Sequence, residues 1–262
     1  MKKFRFSTIL FLVLLVVLSA LFTGCGGVDE EYEYNDKIVT NEKAPVEGDA
    51  NLTAISGFVA DEEHKFVELP LTVTDETNSG TLEIVAIGKY TGPNCDGVEK
   101  EELKDAFAIL VKNPTDKVLS VASLEITYDK GKTCSFNPSN IPAKQSALVF
   151  VNSDAVEYKN VKKLECADPF ILMSDSLPMI EDKVGVDFKD GQFIITNRTD
   201  EALGDVYVRY KNFSDGNAYL GGITYSEVAL DVQPYETQLI DAPDYSETNS
   251  IIIAVENFKI TE

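Results

Sequence analysis

Val184-Gly185-Val186-Asp187-Phe188-Lys189-Asp190-Gly191-Gln192-Phe193-Ile194-Ile195-Thr196 is the stretch that decides the fold class. Two apolar arms flank Asp190-Gly191, a pair that tolerates the left-handed backbone of a two-residue hairpin turn. In the first arm Val184, Val186 and Phe188 recur at every second position, which sets one face of a strand against a core.

The same signal recurs outward from this hairpin. Phe66–Thr74, Thr81–Tyr90, Ala106–Lys112, Leu124–Tyr128 and Ser146–Asn152 read as strands, separated by Gly-, Pro-, Asn- and Asp-rich breaks. Downstream, Asp205–Tyr210, Leu220–Val228, Thr237–Ile240 and Ile251–Val255 continue the series. Leu220-Gly221-Gly222-Ile223 predicts a bulge or a close backbone approach. Short helical segments are expected only within Glu99–Asp105 and Val156–Lys163. The expected class is all-β.

The two sets of strands read as copies. Ile109-Leu110-Val111-Lys112-Asn113-Pro114-Thr115-Asp116 aligns with Phe193-Ile194-Ile195-Thr196-Asn197-Arg198-Thr199-Asp200. Leu124–Tyr128 then aligns with Val206–Tyr210, and Pro142–Ser146 with Pro234–Gln238. Strand, Asn-x-Thr-Asp turn, strand, hairpin, proline-led turn and strand is the rhythm of a β-sandwich. With the ending Leu124-Glu125-Ile126-Thr127-Tyr128-Asp129 and the Pro142–Ser146 step, the chain resembles the immunoglobulin-like modules of Gram-positive surface lipoproteins. The second copy departs by placing Lys211 where the first has Asp129. The resemblance implies two tandem immunoglobulin-like antiparallel β-sandwiches, over 66–182 and 183–262, with an accessory or binding role outside the membrane.

At the other end, Lys2, Lys3 and Arg5 precede an apolar run from Ile9 to Phe22, closing on Phe22-Thr23-Gly24-Cys25. The run is short of the ~20 residues that span a bilayer, and it suits a secretory signal. Small residues before a cysteine resemble the bacterial lipobox, with Phe22 standing where leucine is usual. That resemblance implies cleavage between Gly24 and Cys25, a diacylglycerol on the Cys25 thiol, and attachment to the outer face of the cell membrane. Segment 1–24 is then a signal peptide. Segment 25–65, acidic and without sustained apolar period, is expected to form a flexible stalk.

Charge and composition exclude several functions. With 44 Asp and Glu against 23 Lys and Arg, the formal charge is −21. Such a surface repels nucleic acid, whose binding needs cations to displace counterions. The single histidine, His64, lies in the charged run Asp61-Glu62-Glu63-His64-Lys65, and no Gly-x-Ser-x-Gly turn accompanies it. Gly131-Lys132-Thr133 lacks the glycine of a phosphate loop five residues earlier, where Ile126 stands. No calcium loop and no Cys-x-x-Cys pair is present. Neither metal nor cofactor is expected beyond the lipid on Cys25. Of Cys95, Cys134 and Cys166, Cys134 reads as a buried strand residue, leaving Cys95 with Cys166 as the favoured disulfide.

The feature best placed for recognition is a tyrosine set in the second copy: Tyr207, Tyr210, Tyr219, Tyr225 and Tyr235, with Tyr245 beyond. Tyrosine combines apolar area with a polar tip, and it also covers sheet faces structurally. Tyr207 and Tyr210 differ by an odd number and point to opposite faces. Asn197-Arg198-Thr199 fits a glycosylation pattern, although Asn197 reads better as a turn residue. The expected function is a non-catalytic binding, adhesion or assembly module, with the membrane and an envelope protein or glycan as partners. The alternatives are an envelope hydrolase using two carboxylates and a solute-binding protein, which the strand pattern disfavours.

Overall fold

The computed structural model describes residues 37–96, 102–151 and 156–259. The apolar run expected to act as a secretory signal, Gly24, Cys25 and the acidic run from Asp29 lie outside them. The described residues form one compact unit.

The unit is built from antiparallel ladders, with one parallel splice between named strands. The first half contributes β1 (Phe58–Ala60), β2 (Leu71–Asp75), β3 (Gly80–Pro93), β4 (Glu102–Lys112), β5 (Val118–Asp129), β6 (Lys132–Phe136), β7 (Ser139–Ile141), β8 (Ser146–Phe150) and β9 (Glu165–Ser174). The second contributes β10 (Val184–Lys189), β11 (Gln192–Asn197), β12 (Gly204–Ser214), β13 (Ala218–Val232), β14 (Thr237–Asp241) and β15 (Ser250–Phe258). The expected hairpin forms as read. Lys189 faces Gln192, and Asp190 (φ 52°) and Gly191 (φ 84°) make the turn.

Within each half a central strand pairs on both sides. β5 lies between β6 with β7 and β9, and β12 lies between β13 and β15. A second layer faces it, ordered β3-β4-β8 in the first half and β10-β11-β14 in the second. Two cores fill the sandwiches. One packs Ile84, Phe107, Ile109, Leu124, Ile126 and Phe136 together, the other Val186, Phe193, Ile195, Val208, Tyr210 and Val255. The halves then join edge to edge. β8 pairs in parallel with β13 (Ala147 opposite Tyr219, Leu148 opposite Leu220), so β3-β4-β8 and β13-β12-β15 are one continuous sheet.

The repeat is written in hydrogen bonds. Asn113 is fully buried; its Nδ2 donates to the carbonyls of Lys117, Ile141 and Pro142, and its Oδ1 accepts from the N–H and Oγ1 of Thr115. Asn197 is equally buried; its Nδ2 donates to Glu201 and Gln233, and its Oδ1 accepts from the N–H and Oγ1 of Thr199. The N–H of Asn113 reaches the Gln145 carbonyl, and that of Asn197 the Glu236 carbonyl, both at 2.9 Å. Pro142 therefore corresponds to Gln233, one residue before the Pro234 that sequence alignment chose.

Several expectations need correction. Residues 37–65 are packed on the sheets and do not form a stalk. Ile38 bridges in parallel to Val186, β1 pairs with β3, and Ile55 and Phe58 are buried in a third cluster with Tyr90 and Phe150. Their apolar residues show no period because each anchors singly on a sheet made by other strands. The strand expected from Phe66 begins only at Leu71, one residue past Pro70, which has no N–H for a ladder. Residues 102–105 open β4, and 156–163 hold only a 3-10 turn at Tyr158–Asn160.

Candidate functional site

A group of chemistry-bearing side chains sits where the second half is spliced to the first. Along β13, Leu220 pairs with Asn212 and Tyr225 with Tyr210, so Gly221–Thr224 bulge opposite Lys211 alone. A bulge leaves backbone groups without ladder partners, and buried amides and carbonyls must find others. Asp96, just after β3, accepts the N–H of Gly222 at 2.8 Å and of Ile223 at 3.1 Å. Lys211 donates its ammonium to the carbonyl of Ile223 at 2.6 Å and of Gly222 at 3.3 Å. Ser139 of β7 adds its hydroxyl to Gly222 O at 2.9 Å. Carboxylate and ammonium thus grip opposite polar edges of one dipeptide.

The two glycines are required by space. Gly221 has φ +88°, and a Cβ there would lie 2.4 Å from the Asp96 carboxylate; at Gly222 it would lie 2.8 Å from the Asn137 carbonyl. The close approach expected from Leu220–Ile223 is this one. Lys211 is wholly buried, and that burial pulls its ammonium down to about 8 against the opposing pull of Asp96. Burial likewise raises the Asp96 carboxyl, while the two bulge amides and Lys211 favour its ionised form.

Beside this clamp, Tyr210 stacks on Tyr225 with centroids 5.1 Å apart. Its ring also meets Phe193 and Tyr245 edge-on. The Tyr210 hydroxyl donates to Glu227 at 3.3 Å, and the Tyr225 hydroxyl donates to the Cys95 carbonyl. Glu227 is half-buried; burial raises its carboxyl most, and Asp244 and Asp241 raise it further. Cys95 is buried and its thiol is pushed up to about 12, so it is not a ready nucleophile.

The tyrosines expected to form a recognition surface do not share one. Tyr210 and Tyr219 are core residues, Tyr219 in the first core and Tyr210 in the second. Tyr225 is half-buried in the stack, and Tyr207 packs on Phe258 at the sheet edge. Only Tyr235 stands open, 65% exposed in the turn before β14. Aromatic rings in a strand-rich chain fill cores first, because burial of their area stabilises most. His64 lies apart, half-exposed in the segment ahead of β2. Asn197 is buried and fully engaged, which closes it to glycosylation.

The favoured disulfide is also absent: Cys95, Cys134 and Cys166 are all free thiols. Cys134 and Cys166 face Ile126 from opposite sides of β5, two strand spacings (~9.6 Å) apart and beyond disulfide reach. Cys95 belongs to the third cluster, on a different sheet face. Asp96 and Lys211 carry no local sequence signal of a site, since their roles depend on a contact between segments over a hundred positions apart. Among the described residues no group of three or more His, Cys, Asp or Glu is arranged to hold a metal ion. No family model, curated protein or solved structure matches the chain.

Proposed function

We propose that this protein is a bacterial lipoprotein, anchored through a diacylglycerol on Cys25 to the outer face of the cell membrane, acting as a non-catalytic binding or assembly module. The leader from Lys2 to Cys25 supports the address. The immunoglobulin-like affinity of its sandwiches belongs to the same reading. One observation carries the binding role: the reactive side chains at the splice are engaged in holding backbone. Asp96 and Lys211 each bond two backbone groups of the bulge. What remains for function is surface, and the partner is an envelope protein or glycan.

Two measurements test this. Mass spectrometry of the purified chain should find an N-terminus at Cys25 carrying fatty acyl groups, and Cys25→Ser should leave an unprocessed, unlipidated precursor. A normal mature mass and detergent partitioning in that variant would refute the anchor. Cross-linking of the full chain on intact cells should join it reproducibly to an envelope component; its complete failure removes the binding role. One observation favours the hydrolase alternative: burial, and then the charges of Asp244 and Asp241, raise the Glu227 carboxyl, the direction a general acid needs. Release of sugar ends from envelope glycan, lost in Glu227→Gln, would replace binding by hydrolysis.

A further inference from the structure

The internal repeat allows each exposed edge to be compared with its copy. β8 and β14 occupy the same place: Leu110 faces Leu148, and Ile194 faces Leu239. The turns before them match too, with Lys144 at φ 59° and Tyr235 at φ 56°. In both strands, register and the flanking turn bonds fix which backbone groups point outward. Bonds from Asn197 to Glu236 and from Ala242 to Gly191 set the phase for β14. Residues 236, 238, 240 and 242 therefore bond towards β11, leaving the N–H and C=O of Thr237, Leu239 and Asp241 on the far side. By the same phase Ser146, Leu148 and Phe150 face away from β4.

The two edges meet different fates. That of β8 is closed by Tyr219 and Leu220 of β13, and Leu148 is 0% exposed. Among the described residues β14 pairs with β11 alone, and Leu239 is 45% exposed. Beside it stand Leu230, 62% exposed, and Tyr235. Gln238 Nε2 holds the Leu230 carbonyl at 2.9 Å, which keeps that leucine next to the strand. Natural edges are commonly blunted by lysine, proline or a bulge, and β14 contains none of these.

Charge selects the occupant. Between Lys211 and Lys259 there is no basic residue, while the same span holds Asp215, Glu227, Asp231, Glu236, Asp241, Asp244, Glu247 and Glu256. Asp231, Glu236 and Asp241 bracket the edge itself. A second copy would bring this acidic stretch against its own image. A cationic strand would be attracted by it.

We infer that the outer edge of β14 is a strand-addition site for an extended cationic segment of a partner, with lysine or arginine alternating with apolar residues. The segment continues the β10-β11-β14 sheet by main-chain bonds to Thr237, Leu239 and Asp241. Its apolar side chains cover Leu239 on the outer face, and its cations meet the acidic flank of the strand. Two register pairs suffice at the β8 precedent, so five residues of β14 are long enough.

The inference rests on the binding reading and is tested separately with defined peptides. The full chain in nonionic detergent is titrated with a labelled heptapeptide alternating lysine and valine, with its glutamate counterpart, and with the lysine peptide N-methylated at alternate backbone positions. The lysine peptide should bind, and slow amide exchange at Leu239 and Asp241. Both other peptides, and the Leu239→Pro chain, should bind about ten-fold more weakly or worse. Leu239→Lys, which keeps the strand's N–H groups, should lose the same affinity while melting like wild type. Equal binding of the N-methylated peptide, full affinity in Leu239→Lys, or no binding of the lysine peptide overturns the proposal. So does a wild-type dimer that Leu239→Lys dissolves, which would make a second copy the occupant. If wild-type and Leu239→Lys chains cross-link the same envelope partners on cells, the edge site falls and the binding reading stands.

Discussion

Replacing Asn113 or Asn197 by alanine should destabilise the fold severely and almost equally, because the two side chains hold equivalent corners. Asn113 makes three donated and two accepted bonds, and Asn197 two of each. Shared donors are weaker, so about four effective bonds act at each site, at a net contribution of ~1 kcal/mol apiece. Alanine also strands carbonyls in the corner, each costing ~1–3 kcal/mol if water cannot reach it. Some relaxation is certain, and the expected loss is ~3–5 kcal/mol at each position. That is a fifth or more of the ~5–15 kcal/mol typical of a folded domain. Asparagine to aspartate should be no milder, since a carboxylate would face the same carbonyls without a donor.

The assay is urea unfolding followed by far-UV circular dichroism and by tyrosine emission, which is usable because the chain has no tryptophan. The midpoint should fall in both variants with an unchanged slope, the signature of altered stability without altered exposed area. Because β8 and β13 share a ladder, each variant should still unfold in one transition. A loss under ~1 kcal/mol at either position, or a difference above ~2 kcal/mol between them, would refute the reasoning that the corners bear equivalent loads.

Lys211→Met removes one partner of a buried pair and should cost ~3–5 kcal/mol, while adding Asp96→Asn should cost less than the sum of the two single changes, as a double-mutant cycle would record. Lys211 also makes a pH prediction: its folded-state value of about 8 lies below the unfolded one, so the unfolded chain holds the extra proton above pH 8. Wild type should therefore gain stability relative to Lys211→Met between pH 8 and 10, a difference in which the cysteines, common to both, cancel. Asp75 is held at about 2, first by the Asn78 side chain and then by the Ile171 amide. Its stabilisation is present above the ordinary carboxylate range and lost as pH falls towards 2, so Asp75→Asn should flatten the acid limb of a melting-temperature profile between pH 4 and 2. Reductant should leave the melting temperature unchanged, and native Cys95 and Cys134 should resist alkylation until denaturant is added, because burial raises both thiols to about 12.

What could be read from sequence was whatever depended on near neighbours. The turn at Asp190-Gly191 is local chemistry, and alternation along β5 or β10 follows from facing one core. The repeat was visible through Asn113-Pro114-Thr115 and Asn197-Arg198-Thr199, whose side chains bond within two to four residues. At the next step proline identity misleads by one residue, because position relative to the left-handed residues Lys144 and Tyr235 sets the role. Segment 37–65 is illegible for the opposite reason: Ile38, Ile55 and Phe58 take their burial from strands that lie far along the chain. The tyrosine surface failed likewise, since sequence cannot say that Tyr210 and Tyr219 point into cores. In the sequence Lys211 shows only as a departure from the Tyr-Asp ending. Its meaning needs Asp96 and the bulge, which no period reveals.

The clamp and the open edge have a common origin in the splice between halves. For β13 to serve β12 along most of its length and still reach β8 with Tyr219 and Leu220, it must change course, and the bulge at Gly221–Thr224 is where it does so. Four residues opposite one expose amides and carbonyls in a buried place, and only groups able to bond both kinds can occupy it. A carboxylate on one side and an ammonium on the other meet that demand, which is why a lysine is tolerated at full burial. The same arm closes β8. Among the described residues nothing performs that office for β14, so the copy that lacks an arm keeps its ladder open. Fusion of two like sandwiches by a single arm therefore yields one sealed edge and one available edge, and the acidic span from Asp215 to Glu256 determines which charge can approach the one that remains.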